Sequence, residues 1–124
     1  MSYNVRMIPF ETPQTEIEKL AKQFCDHLEI ELDRSPRTLE SYSRVLQSFF
    51  DWGVIKGPAD ITALKVREYR LHLNRKPNRR GESLKKNTQS YHAIVLRTFL
   101  KYLAKQDIQA LPAEKIEVGK AEDR

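Results

Sequence analysis

Four stretches of the chain repeat apolar residues at steps of three and four, the pattern of a helix with one face buried. Ile17, Leu20, Ala21, Phe24 and Leu28 predict a first helix reaching about Leu32. It has two competing starts: Thr15 followed by Glu18 fits a capping box, and Thr12 stands before Pro13. Its outward acids, Glu16, Asp26, Glu29 and Glu31, make it scaffold turned away from any phosphate backbone. A serine cap at Ser35 and proline at the first helical position open the second helix, which buries Leu39, Tyr42, Leu46, Phe49 and Phe50, with Val45 and Trp52 at the margin.

Gly53 and Gly57-Pro58 break the chain before a third helix capped by Thr62, with Ile61 placed to meet Val66 as a hydrophobic staple. In this helix Leu64, Val66, Tyr69 and Leu73 face inward, while Lys65, Arg67, Arg70 and Arg75 decorate the rest. Lys76 to Ser83 combines proline, glycine and paired arginines and reads as a basic loop. The last helix, from Lys85 to about Gln106, is apolar round most of its circumference. Tyr91, Ile94, Val95, Phe99, Tyr102 and Leu103 fill one face, and Ala93, Leu96 and Leu100 lie on the other side, so its neighbours must enclose it. The expected architecture is all-α, a compact four-helix bundle over residues 12–106. Residues 1–11 form a loose lead, and residues 107–124, with Pro112 and Gly119, form an aperiodic linker.

Length and composition agree with this plan: 124 residues suit one domain, and 31% charged residues mark a soluble globular chain. No apolar run approaches the roughly 20 residues that cross a bilayer. The amino end lacks a secretory signal, and the single cysteine, Cys25, excludes an internal disulfide and suits a buried filler. A cytoplasmic protein without membrane attachment is expected.

Charge changes the picture more. Net charge is +5, yet residues 65–105 carry twelve Lys and Arg against two acids, whereas residues 1–33 carry three against seven. A block at +10 inside a folded domain faces a polyanion. The second helix has a stripe of Arg37, Ser41, Arg44 and Ser48, with cations and hydroxyls where exposed helices usually alternate charge sign. The last helix opens with Lys85, Lys86, Asn87, Thr88 and Ser90 and carries Arg97 and Lys101 on the same polar stripe. Cations neutralise phosphates, short hydroxyl and amide groups fix register on the backbone, and helix amino termini add positive potential. Arg37, Thr38, Ser41, Arg44, Arg79, Arg80, Lys85, Lys86, Asn87, Thr88, Ser90 and Arg97 are therefore the candidate contacts to double-stranded DNA.

Catalytic chemistry finds no support. His27, His72 and His92 fall on three helices without metal-ligand spacing, no Gly-x-Ser-x-Gly elbow exists, and Cys25 has His27 only two residues away, which on a helix points elsewhere. No metal, cofactor or small-molecule substrate is expected. The competing reading is a helical protein-interaction module with a basic face for an acidic partner, although ion pairing alone needs no flanking Ser, Thr and Asn. A helix-turn-helix regulator requires a shorter junction than Gly53 to Asp60.

The segment SPRTLESYSRVLQSFFDW resembles the Ser-x-x-Thr-x-x-x-Tyr-x-x-x-Leu-x-x-Phe signature of the amino-terminal core-binding domain of tyrosine recombinases, the phage integrase and Xer-like group, at Ser35, Thr38, Tyr42, Leu46 and Phe49. KNTQSYHAIVLRTFLKYL is similar to that family's final bundle helix, with Thr88 leading and Leu96-Arg97-Thr98-Phe99 following. Pro112 to Val118 resembles the connector to the catalytic domain, departing at Leu111 and Gly119, where the family often has asparagine and proline. The resemblance implies a SAM-like domain forming half of a C-shaped clamp on duplex DNA, with the second and fourth helices against the DNA. It also implies a parent enzyme, tetrameric on DNA, that cuts and rejoins strands through a tyrosine in a carboxy-terminal domain lacking here; the isolated domain would be monomeric. Tyr42, Tyr91 and Tyr102, on apolar faces, are not that nucleophile.

Overall fold

A computed structural model describes residues 10–76 and 86–118, the side chains of Lys86 and Asn87 excepted. It contains α1 (Glu16–Ile30), α2 (Pro36–Gly53), α3 (Ala63–Arg75) and α4 (Lys86–Lys105), with single 3-10 turns at Pro58–Asp60 and Ala113–Lys115. Local chemistry sets the starts of α1, α2 and α3. Thr15 accepts from the Glu18 amide at 3.2 Å, and the Glu18 carboxylate accepts from the Gln14 amide at 2.8 Å, so the helix opens at Thr15 and not at Thr12. A second free amide of that first turn, on Ile17, donates to the Lys56 carbonyl at 2.9 Å and ties α1 to the α2–α3 junction. Ser35 and Thr62 cap α2 and α3 through the Thr38 and Lys65 amides.

The helix ends are less conventional. Glycine usually supplies the left-handed residue after a helix, but α2 places Val54 there, at φ 53°. Gly53 stands one position earlier because a Cβ on it would lie 3.2 Å from Ile55 Cδ1; the glycine serves close packing instead. Asp107, at φ 61°, takes the left-handed position after α4, and the Ile108 and Asp107 amides return to the Leu103 and Ala104 carbonyls.

The strut of the bundle is α4, which packs against α1, α2, α3 and the Ala113–Lys115 turn. Phe99 meets Phe24 of α1 edge-on at 5.3 Å between ring centres, and Phe49 of α2 meets Tyr69 of α3 at 5.2 Å. Leu46, Val95, Leu96 and Leu103 fill the space between. Cys25 is buried as expected, and loss of solvent pushes its thiol up to about 12.

Two inward assignments from the wheel are corrected. Leu64 is 61% exposed, because only Val66, Tyr69 and Leu73 of α3 reach the core. Ile94 is 41% exposed, because none of the described helices covers that side of α4. The aperiodic tail also behaves differently from a free linker through Val118. Ala113 and Ile116 are buried, and Ile108, Ala110 and Leu111 pack against the core.

Candidate nucleic-acid interface

The polar stripe of α2 lies against the amino-terminal half of α4. Ser41 Oγ and Tyr91 Oη are 2.6 Å apart across fifty residues of sequence, and the Tyr42 ring meets Tyr91 edge-on at 6.2 Å. Further along α2, Ser48 Oγ is 2.8 Å from Tyr69 Oη, which in turn is 3.2 Å from His92 Nδ1, so α2, α3 and α4 share one polar seam. Burial raises the pKa of Tyr69 and Tyr42 and lowers that of His92, so the seam is held by neutral groups.

This arrangement gives the stripe's serines a second duty. A hydroxyl offers one donor and two acceptor positions. If Tyr91 donates to Ser41, the serine O–H stays available for a phosphate oxygen with its oxygen already fixed in place. Arg37 and Arg44 flank Ser41 and are exposed. Among the described residues the one ion pair is Lys22–Asp26 on α1, at 3.3 Å, so neither arginine is neutralised by a described acid. Thr38 is half-buried in the Ser35 cap, where Ser35 Oγ donates to its Oγ1 at 3.2 Å.

On α4, Thr88 and Ser90 are half-buried in the first turns beside this seam. Arg79, Arg80 and Lys85 lie outside the described residues, as do the side chains of Lys86 and Asn87. Arg97 does not stand free on the stripe: its Nε donates to the Ala113 carbonyl at 3.3 Å and helps hold the tail. Arg70 acts similarly from α3, donating to Gln89 Oε1 and to the Glu117 carbonyl, each at 2.6 Å. Its charge alone suggested surface decoration, and its carbonyl partner is 47 residues away.

The three histidines remain apart in role: His27 lies 5.2 Å from the Tyr102 ring, His72 5.7 Å from the Trp52 ring, and His92 joins the seam. Among the described residues no group of three His, Cys, Asp or Glu could hold a metal, and no helix is long and apolar enough to cross a membrane.

Comparison with known proteins gives this architecture its family. Residues 20–111 match the model of the phage integrase N-terminal, SAM-like domain. The chain belongs to that family. Two tyrosine recombinases XerC of Leptospira interrogans serogroup Icterohaemorrhagiae, from serovars copenhageni (strain Fiocruz L1-130) and Lai (strain 56601), are each 31% identical over 119 residues. The match covers 90% of this chain and 36% of each relative, so the chain spans about a third of the length of those recombinases. No solved structure matches it significantly. The positions that carry the family signature divide cleanly in the fold: Ser35 and Thr38 form the α2 cap, whereas Leu46 and Phe49 are core and Tyr42 bridges Phe24 and Tyr91.

Proposed function

We propose that this SAM-like domain grips duplex DNA as the core-binding half of a site-specific tyrosine recombinase clamp that supports DNA integration and recombination. The observation that carries the reading is the Ser41–Tyr91 contact, which sets the cationic stripe of α2 beside the amino-terminal half of α4. The two helices then form one surface with Arg37 and Arg44 for phosphates and Ser41, Thr88 and Ser90 for register. Arg79, Arg80, Lys85, Lys86 and Asn87, which precede or open α4 in the sequence, are proposed as further DNA contacts. The parent enzyme, as in the XerC relatives' name, is a tyrosine recombinase whose strand-cutting groups lie in a further domain beyond the connector. It assembles as a tetramer on DNA in the cytoplasm, while the isolated domain is a monomer.

Fluorescence anisotropy of a labelled duplex titrated with the 124-residue chain at low salt tests this, with polyglutamate as competitor. Duplex binding that survives an equal charge of polyglutamate, and that weakens in Lys85→Ala/Lys86→Ala, is expected. Absence of duplex binding, or displacement by polyglutamate as efficient as by unlabelled DNA, would instead point to an acidic protein partner.

A further inference from the structure

We propose that Ile94 is the apolar reader of this interface, packing on the methyl group of a thymine in the major groove. The inference rests on the DNA reading above and adds a base contact to it. Ile94 is 41% exposed while Ala93, Val95 and Leu96 beside it are buried. Single exposed apolar side chains are common and by themselves mean little. The surroundings of this one carry the argument.

Helical spacing places Ser90 one turn before Ile94, Arg97 and Thr98 one turn after, and Lys101 two turns after. Ile94 is thus an apolar residue in the middle of a polar, cationic stripe. Tyr91, one turn back, is pinned to Ser41, so the α2 arginines border the same face. The described part of the tail, to Val118, does not cover it: the groove of about 750 Å³ between α4 and the tail is lined by Arg97, Leu100, Lys101 and Ala104, and not by Ile94. Thr98 adds no free hydroxyl donor here, since its Oγ1 donates to the Ile94 carbonyl at 2.9 Å. On the major-groove edges of the base pairs the thymine C5-methyl is the apolar group, and apolar side chains recognise it. A cationic face with an exposed isoleucine suits that edge better than it suits an acidic peptide.

The test enriches duplexes from a random pool with the 124-residue chain, then replaces each thymine of an enriched duplex singly by deoxyuridine. Deoxyuridine keeps the hydrogen-bonding edge and removes only the methyl. At one position the wild-type chain is expected to bind about fourfold more weakly, the worth of one methyl-sized group taken out of water. Ile94→Ala should bind the two duplexes equally, near the wild-type affinity for the deoxyuridine form, with unchanged salt dependence and unchanged thermal midpoint. Ile94→Val should retain part of the discrimination. A wild-type chain indifferent to every replacement, or an Ile94→Ala chain that keeps the difference, overturns the inference while DNA binding stands. No binding to any duplex overturns both.

Discussion

Tyr91 and Tyr69 show how a single hydroxyl decides which surfaces meet. Each ring is packed among aromatic neighbours, and each hydroxyl reaches a serine on α2 that would otherwise face solvent. A neutral hydrogen bond of this kind contributes about 1 kcal/mol. Ser41→Ala and Tyr91→Phe should each lower stability in urea by about that amount, and the double variant should cost little more than either alone, because the two share one interaction. Simple additivity would show that the bond is not made. His92 supplies a pH signature. Burial holds its pKa below the ordinary 6.5, so between the folded value and 6.5 the unfolded chain binds the proton more readily. The contribution is therefore complete above pH 6.5 and is lost as pH falls through the folded value. Urea midpoints measured from pH 8 downward should fall more steeply for wild type than for His92→Asn, which cannot titrate.

At the scale of elements, the helix starts were legible because they are local. Ser35-Pro36, Thr15 with Glu18, and Thr62 each act within one turn, and the structure uses all three. The stripe on α2 was equally legible as chemistry, but the tyrosine partners of Ser41 and Ser48 were not, since they lie 50 and 21 residues away. Leu64 and Ile94 illustrate the same difficulty from the apolar side. A helical wheel gives the angle of a residue, but only the placement of neighbouring helices determines whether that angle is covered. The docked tail was the least visible element, because Ile108, Leu111, Ala113 and Ile116 follow no helical or strand period. Ile116 is nonetheless 2% exposed, and Arg70 and Arg97 hold the backbone on either side of it. Ile116→Ala should cost about 2 to 4 kcal/mol in denaturant unfolding, the range for emptying a core position. A change within a few tenths of a kcal/mol would mean that the tail is not part of the folded unit.

For the whole molecule, the decisive feature is the uneven distribution of charge. The acids are concentrated before residue 34, on and around α1, while residues 65–105 hold twelve of the 22 basic residues. Helix α1 buries Ile17, Ala21, Phe24 and Leu28 against the bundle and leaves Glu16, Asp26 and Glu29 exposed, with Glu31 exposed just past its end. On the proposed DNA reading, this distribution would repel a phosphate backbone from α1 and draw it toward the basic block of residues 65–105, leaving Arg37 and Arg44 as the cations that α2 contributes. The central claim, that Arg37 and Arg44 of this SAM-like domain neutralise DNA phosphates, is tested most directly by the dependence of duplex affinity on salt concentration. The slope of log K against log salt for Arg37→Ala/Arg44→Ala should be smaller than that of wild type by about two, one for each phosphate left without its arginine. An unchanged slope in the double variant would contradict the account.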